Sequence, residues 1–327
     1  MMPARVLLHI GASRTATTTL QQNLFERLPG IVFIGKPHPH QRNRLIENFS
    51  NEDSARLERA VSNIVLGSPD ADADADIPAI RAAIDRLRQS APLIVYSNEM
   101  LSNNQFVPFD TIASRLSAAF GPADLMVSIR SQLTVLPSLY LHEMRRRTSD
   151  IAFDAWLEQA LNNPTRKNHP EESIEQYRYG AMIREFRPAI GGRVGIVMYE
   201  NLATDLPRYA RRLAELTGVD SETIAALLSA PAKNRTKSTA WYRYRRLYAK
   251  LRPVFPFNLL DGTHAMRDIK RQIKTAIDAK AAAMPRPQVG LSERDRQRID
   301  AYFGADNRAL AAEMGVELKT HSYPGTV

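Results

Sequence analysis

The sequence predicts an α/β protein: a parallel β-sheet with helices on both faces. Two observations carry that prediction. Five short runs rich in apolar and β-branched residues, Arg5–Ile10, Ile31–Ile34, Leu93–Ser97, Leu125–Ile129 and Val194–Tyr199, read as buried strands. The stretches between them carry helical spacing, and strands that alternate with crossover helices form parallel sheets. At 327 residues the chain is long enough to bury a substantial core.

In chain order, the first strand is followed by Leu20, Leu24 and Leu28, an apolar repeat of four that predicts a helix. After the second strand, Gly35-Lys36-Pro37-His38-Pro39-His40 reads as an ordered loop. An alternating run with Asp70, Asp72, Asp74 and Asp76 falls in a weakly structured stretch, Ser68 to Ile77. It lacks the glycine and terminal glutamate of a calcium loop and reads as solvated surface. Ile112, Leu116 and Phe120 mark a helix after the third strand, and Leu206, Tyr209, Leu213 and Leu216 another after the fifth.

From Trp241 to about Pro287 aromatic and basic residues interleave: Tyr242, Tyr244, Tyr248, Phe255 and Phe257 with Arg243, Arg245, Arg246, Lys250 and Arg252. Three readings stay open: a helix packed by its aromatic side with its arginines solvated, a lid over an anionic or lipid-linked acceptor, or a membrane-surface contact. The whole chain, 1–327, reads as one domain with 241–287 as a helical cap.

Composition narrows the chemistry. The absence of cysteine excludes disulfides, thiolate nucleophiles and cysteine-ligated metals, and no metal site is expected. A net charge of +9 favours anionic partners, but no nucleic-acid-reading motif accompanies it. The apolar run Val6–Ile10 falls far short of the roughly 20 residues a membrane span needs, so a soluble, cytoplasmic protein is expected.

Ligands of such sheets bind beyond the carboxyl ends of the strands. There the first strand runs into Gly11-Ala12-Ser13-Arg14-Thr15-Ala16-Thr17-Thr18-Thr19. Backbone N–H groups of a strand-to-helix turn form a concave anion site, which threonine hydroxyls can extend and the Arg14 guanidinium can complete. The alternative is that a threonine merely caps the helix and Arg14 is solvated. A second arginine, Arg130, ends the fourth strand and is followed by Ser138 and Tyr140. An arginine and a serine near a helix start can grip one phosphate together, although the spacing alone is weakly specific.

The first segment resembles the 5′-phosphosulfate loop of sulfotransferases, Gly-x-x-Lys-Thr-Gly-Thr-(Ser/Thr)-x-Leu-Gln, with Gly11, Thr15, Thr17, Thr18, Leu20 and Gln21 matching. Arg14 stands at the family lysine and Ala16 at the family glycine, which suggests a loop conformation that tolerates a Cβ. Arg130, Ser138 and Tyr140 fall on the family's 3′-phosphate motif, a strand ending in arginine and then Ser-x-Tyr opening a helix. Tyr199-Glu200-Asn201-Leu202 resembles the family's Tyr-Glu-Asp-Leu, Lys233 to Ser238 is similar to its late nucleotide contacts, and Ser292 to Gly315 resembles the closing helices of bacterial carbohydrate sulfotransferases.

The resemblance implies a P-loop-type sheet and transfer of a sulfuryl group from 3′-phosphoadenosine 5′-phosphosulfate (PAPS) to an acceptor hydroxyl, with 3′-phosphoadenosine 5′-phosphate (PAP) as product. It implies donor contacts at Gly11, Ser13, Arg14, Thr15, Ala16, Thr17, Thr18, Thr19, Arg130, Ser138, Tyr199 and Arg235. Arg14 would stabilise the leaving phosphate. Glu99, at the end of the third strand, is the expected base; His38 and His40 are alternatives, and Glu99 can instead orient Arg14 or the loop amides. His142 reads as structural. The acceptor implied is a glycan or lipid-linked sugar. A catalytically weak nucleotide-binding homologue and a nucleotide kinase are the competing readings, although a Walker lysine is missing.

Overall fold

The computed structural model describes residues 4–35, 51–67, 73–103, 107–144, 151–165, 173–229 and 289–326, with two isolated helical positions, Gln272 and Thr275. Five parallel strands form one sheet in the order β2-β3-β1-β4-β5. They are β1 (Arg5–Gly11), β2 (Ile31–Gly35), β3 (Leu93–Ser97), β4 (Ala123–Ile129) and β5 (Gly191–Met198). Each predicted run is a strand; the fifth stops one residue short, because Tyr199 opens a helix.

The central strand shows why both faces are covered. Val6, Leu8 and Ile10 enter one core cluster and Leu7 the other, as the two-residue period of a strand requires. Helices α2 (Asn51–Val65), α3 (Ala73–Leu87), α4 (Phe109–Phe120), α5 (Gln132–Met144), α6 (Phe153–Asn162) and α7 (Tyr179–Ile190) bury apolar residues in the first cluster. The second cluster is filled from the π-helical segment Leu20–Phe25, which continues the short α1 (Thr17–Thr19), and from α9 (Leu206–Thr217) and α10 (Ser221–Leu228), which follow the short α8 (Tyr199–Thr204). Helix α11 (Glu293–Met314) returns to the first face through Ile299, Phe303 and Leu310.

Three differences from the sequence reading have local causes. The repeat Leu20, Leu24, Leu28 is buried as predicted, but the turn is wider than an α-turn: the Glu26 N–H reaches back five residues to the Gln21 carbonyl at 3.0 Å, which brings Phe25 into the core beside Leu24. Asp74 and Asp76 lie in α3 rather than in a surface loop, since Ile80, Ile84 and Leu87 give that helix a buried stripe; Asp70 and Asp72 lie outside the described residues. The cap segment 241–287, apart from Gln272 and Thr275, also lies outside them. Third, α5 begins at Gln132, so Ser138 sits inside the helix and not at its start. Gln132 is drawn into the core by Asn307, with which it exchanges two amide bonds of 3.1 Å, and this starts the helix early. Among the described residues no helix is long and apolar enough to cross a membrane.

Because the strands are parallel, all five carboxyl ends lie at one edge of the sheet. The neighbours β1 and β3 send their connections to opposite faces, which opens a crevice at their ends. At the opposite edge Arg5 and Arg193 both bond Asp124, at 2.5 and 3.0 Å. Burial works to raise the Asp124 carboxyl, but the hydrogen bonds from Arg193 and Arg5 prevail and hold it below the ordinary value.

Candidate active site

The chain leaves β1 through Gly11, where an added Cβ would lie 2.1 Å from Thr17 Cγ2, so only glycine fits under the returning loop. Thr15 then closes a tight turn on the Ala12 carbonyl with its N–H at 3.3 Å and its hydroxyl at 2.6 Å. Ser13 is equally committed: its N–H donates to Gln176 Oε1 at 2.9 Å and its carbonyl accepts from the Tyr177 hydroxyl at 3.2 Å. Gly11, Ser13 and Thr15 are buried and scaffold the loop. Arg14, Ala16, Thr18 and Thr19 are half-exposed on its outer side, with Thr17 beneath them.

Arg14 and Ala16 both adopt the left-handed conformation, with φ of 67° and 71°, while Thr15 between them does not. Alternation of this kind turns successive N–H groups toward one concavity, the backbone geometry that receives anions. It also corrects one expectation. The loop does not relax to suit the Cβ of Ala16; it keeps the left-handed turn that a glycine would adopt freely, at a cost of about 1–2 kcal/mol.

β3 delivers Ser97, Asn98 and Glu99 to the same edge. Asn98 caps a 3₁₀ turn, Glu99–Leu101, by accepting from the Met100 N–H at 2.9 Å, and its own amide is gripped by the buried Glu58 at 3.0 Å and by Ser62 at 2.7 Å. The turn points Glu99 at the loop, where Oε2 accepts from the Thr17 hydroxyl at 3.2 Å.

β4 delivers Arg130. Its Nη1 donates to the Arg14 carbonyl at 3.1 Å, its Nε to Thr134 at 3.0 Å, and its guanidinium lies 4.2 Å over the Tyr199 ring. In return Arg14 Nε donates to Ser138 at 3.1 Å. The two predicted half-sites are therefore one cross-braced cluster: the loop arginine reaches the helix serine, and the strand arginine reaches the loop. Tyr199 backs Arg130 through a cation–π contact. Tyr140 is buried and donates to the Ile151 carbonyl at 2.7 Å, a packing role, and His142 is half-buried one turn beyond Ser138. His38, His40 and Arg235 lie outside the described residues.

Around the cluster, His9, Tyr179 and Tyr323 carried no sequence signal, while Gln21 and Glu200 stood in the motifs without a role. The buried His9 bridges the strand ends, Nδ1 at 2.7 Å from Ser97 Oγ and Nε2 at 2.8 Å from Ser128 Oγ, and Gln21 extends the chain to Ser97 at 3.0 Å. Burial pushes the His9 imidazole down to about 3, so it stays neutral. Beside Arg130, Glu200 accepts from the Ser131 N–H at 2.8 Å and from the Tyr323 hydroxyl at 3.1 Å. Tyr179 spans the main chain of Arg130, accepting from its N–H at 3.1 Å and donating to its carbonyl at 2.9 Å. Burial keeps that phenol protonated.

No protein-family model matches the chain, and no curated protein matches it in sequence. Among solved structures, a sulfotransferase from Alicyclobacillus acidocaldarius aligns over 98% of this chain and 99% of its own, with a TM-score of 0.52 and 13% sequence identity. The fold is that of a sulfotransferase. In this fold the cluster of Arg14, Thr17, Glu99, Arg130 and Ser138 lies at the carboxyl ends of β1, β3 and β4.

Proposed function

We propose that the protein is an enzyme, a sulfotransferase that moves a sulfuryl group from PAPS to the hydroxyl of a carbohydrate or lipid-linked sugar. The observation that supports this most is the cross-brace of Arg14, Ser138 and Arg130, which draws two separate anion-gripping elements into one cluster on this fold. The residues present suit a nucleotide with two phosphate groups: a concave left-handed turn, threonine hydroxyls and two guanidiniums from different strands. When bound, the donor supplies an activated sulfuryl group whose leaving group is a phosphate.

The chain's own groups divide the work. Arg14 gives Ser138 only its Nε, and its two Nη groups form the planar fork that matches a pair of phosphate oxygens as negative charge develops. The outward amides of Ala16, Thr17, Thr18 and Thr19 and the threonine hydroxyls share that load. Arg130 and Ser138 hold the 3′-phosphate, with Tyr199 keeping the Arg130 guanidinium in place. Glu99, presented by the Asn98 cap and held against Thr17, takes the proton of the acceptor hydroxyl. The net charge of +9 and the aromatic-basic composition of 241–287 support an anionic glycan or lipid-linked acceptor taken up at a membrane surface from the cytoplasmic side.

The test is the thermal midpoint of the purified protein with PAP, ATP, GTP or AMP. A ligand that binds only the folded state stabilises it by about 2.7 kcal/mol at a hundredfold excess over its Kd. A shift specific to PAP and lost in Arg130→Ala is the expected result. No shift with PAP, or a larger one with ATP and magnesium, would overturn the reading.

A further inference from the structure

One short stretch, Gln176 to Tyr179, touches the main chain of both gripping loops. Gln176 Oε1 takes the Ser13 N–H and the Tyr177 hydroxyl gives to the Ser13 carbonyl, so both main-chain groups of the residue before Arg14 are held. Tyr179 does the same for Arg130 with a single hydroxyl, accepting from its N–H and donating to its carbonyl. The two residues so held precede or carry the two arginines of the cluster, and they come from different strands.

The stretch is itself fixed. Gln176, Tyr177 and Tyr179 are fully buried, and the two tyrosine rings meet edge to face at 6.2 Å. Gln176 Nε2 donates to the Ser173 carbonyl at 2.8 Å, and the Tyr177 carbonyl accepts from Gln132 Nε2 at 2.8 Å. Gln132 in turn pairs with Asn307, which donates to the Pro324 carbonyl at 3.0 Å. A core of buried amides and phenols in which every such group is bonded behaves as a rigid unit. Two loops tied to one rigid unit cannot change their separation independently.

We infer that Gln176, Tyr177 and Tyr179 are positioning residues that set the distance between the two phosphate-gripping loops, and thereby make the site selective for a nucleotide phosphorylated on both the 3′ and 5′ sides of its ribose. This rests on the nucleotide reading proposed above. Tyr177 acts on the loop that receives the 5′ group, which PAP and AMP share; Tyr179 acts on Arg130, which only a 3′-phosphate engages. The two phenols therefore have separable effects.

Titration calorimetry of the full chain with PAP and with AMP tests it. In Tyr179→Phe the PAP affinity falls about tenfold, as expected when a buried main-chain pair loses its partner, while AMP binding changes by less than about twofold. In Tyr177→Phe both ligands weaken, PAP by the larger factor, because the loop spacing that only PAP spans is loosened as well. In an Arg130→Ala background Tyr179→Phe has no further effect on PAP, because it acts through that arginine. Equal weakening of PAP and AMP in Tyr179→Phe, unchanged affinities, or an effect that persists without Arg130 would overturn the inference while leaving the nucleotide reading intact. Should Tyr179→Phe fail to fold, Tyr177→Phe decides: a larger loss for PAP than for AMP supports the brace, and an equal loss or an unchanged affinity refutes it. Wild-type protein that does not prefer PAP to AMP would instead refute the nucleotide reading, and the inference with it.

Discussion

The loop after β1 and the turn after β4 solve the same problem by opposite means. The first makes its concavity from strained backbone, with Arg14 and Ala16 held left-handed over a glycine that leaves room for Thr17. The second has ordinary backbone and directs one side chain, Arg130, through contacts from Tyr179, Thr134 and Tyr199 and through the Glu200–Ser131 bond beside it. Strain in the first is intrinsic to the loop. Order in the second is imported from distant parts of the chain, so the two halves should respond to different substitutions.

The largest expected effect tests the first loop. Arg14→Ala should lower kcat by about 10²–10³, the usual cost of removing one preorganised group facing developing charge, with a much smaller change in PAP affinity. Steady-state kinetics and calorimetry together check this, and a comparable loss in both would erase the distinction between the halves. Arg14→Lys sharpens it: lower turnover identifies the arginine as the working group, and higher turnover marks a weakened catalyst.

Next comes His9, which underlies both halves. Its folded value of about 3 lies below the unfolded value of 6.5, so its contribution is complete above pH 6.5 and is lost as pH falls from there toward 3. Between pH 6.5 and 5 the loss should be about 2 kcal/mol. Denaturant melts at the two pH values measure it, and a His9→Gln protein should show a flatter profile; an equal slope in the variant would assign the dependence elsewhere.

Tyr323→Phe removes a donor from the Glu200 carboxylate and should weaken PAP binding by about 1 kcal/mol through the Arg130 turn, with kcat little changed. A fall in kcat alone would place Tyr323 in the first half instead. Smallest is Ala16→Gly. Relief of the left-handed Cβ, less the greater freedom of glycine in the unfolded chain, should stabilise by about 0.5–1 kcal/mol in thermal or denaturant unfolding. Destabilisation would mean that the Cβ packs favourably enough to outweigh the strain.

The asymmetry also explains what was legible in the sequence. Buried parallel strands are near-continuous apolar runs, so all five could be read, and the loop after β1 announces itself by its place between a strand and a helix. Arg130 was found in the same way. Its supports Tyr179 and Tyr323 were not, because they act through hydroxyl bonds to the Arg130 main chain and to the Glu200 carboxylate from far away in sequence, which leave no period or spacing. The early start of α5 escaped for a related reason: Gln132 is polar and reads as loop, yet its partner Asn307 lies 175 residues on. The π turn was hidden because three leucines spaced four apart fit either helix.

The order of the chain gives the imported half a temporal consequence. Strands β1 to β4 and the loop after β1 belong to the first 129 residues, whereas the Tyr323–Glu200–Ser131 stitch and the Pro324 anchor of Asn307 draw on residues 323 and 324. On a ribosome the chain would hold its sheet and its strained loop well before Arg130 acquires its final support. The Arg130 turn would then reach its final order only once Tyr323 and Pro324 have docked, so its order reports on contacts nearly two hundred residues away.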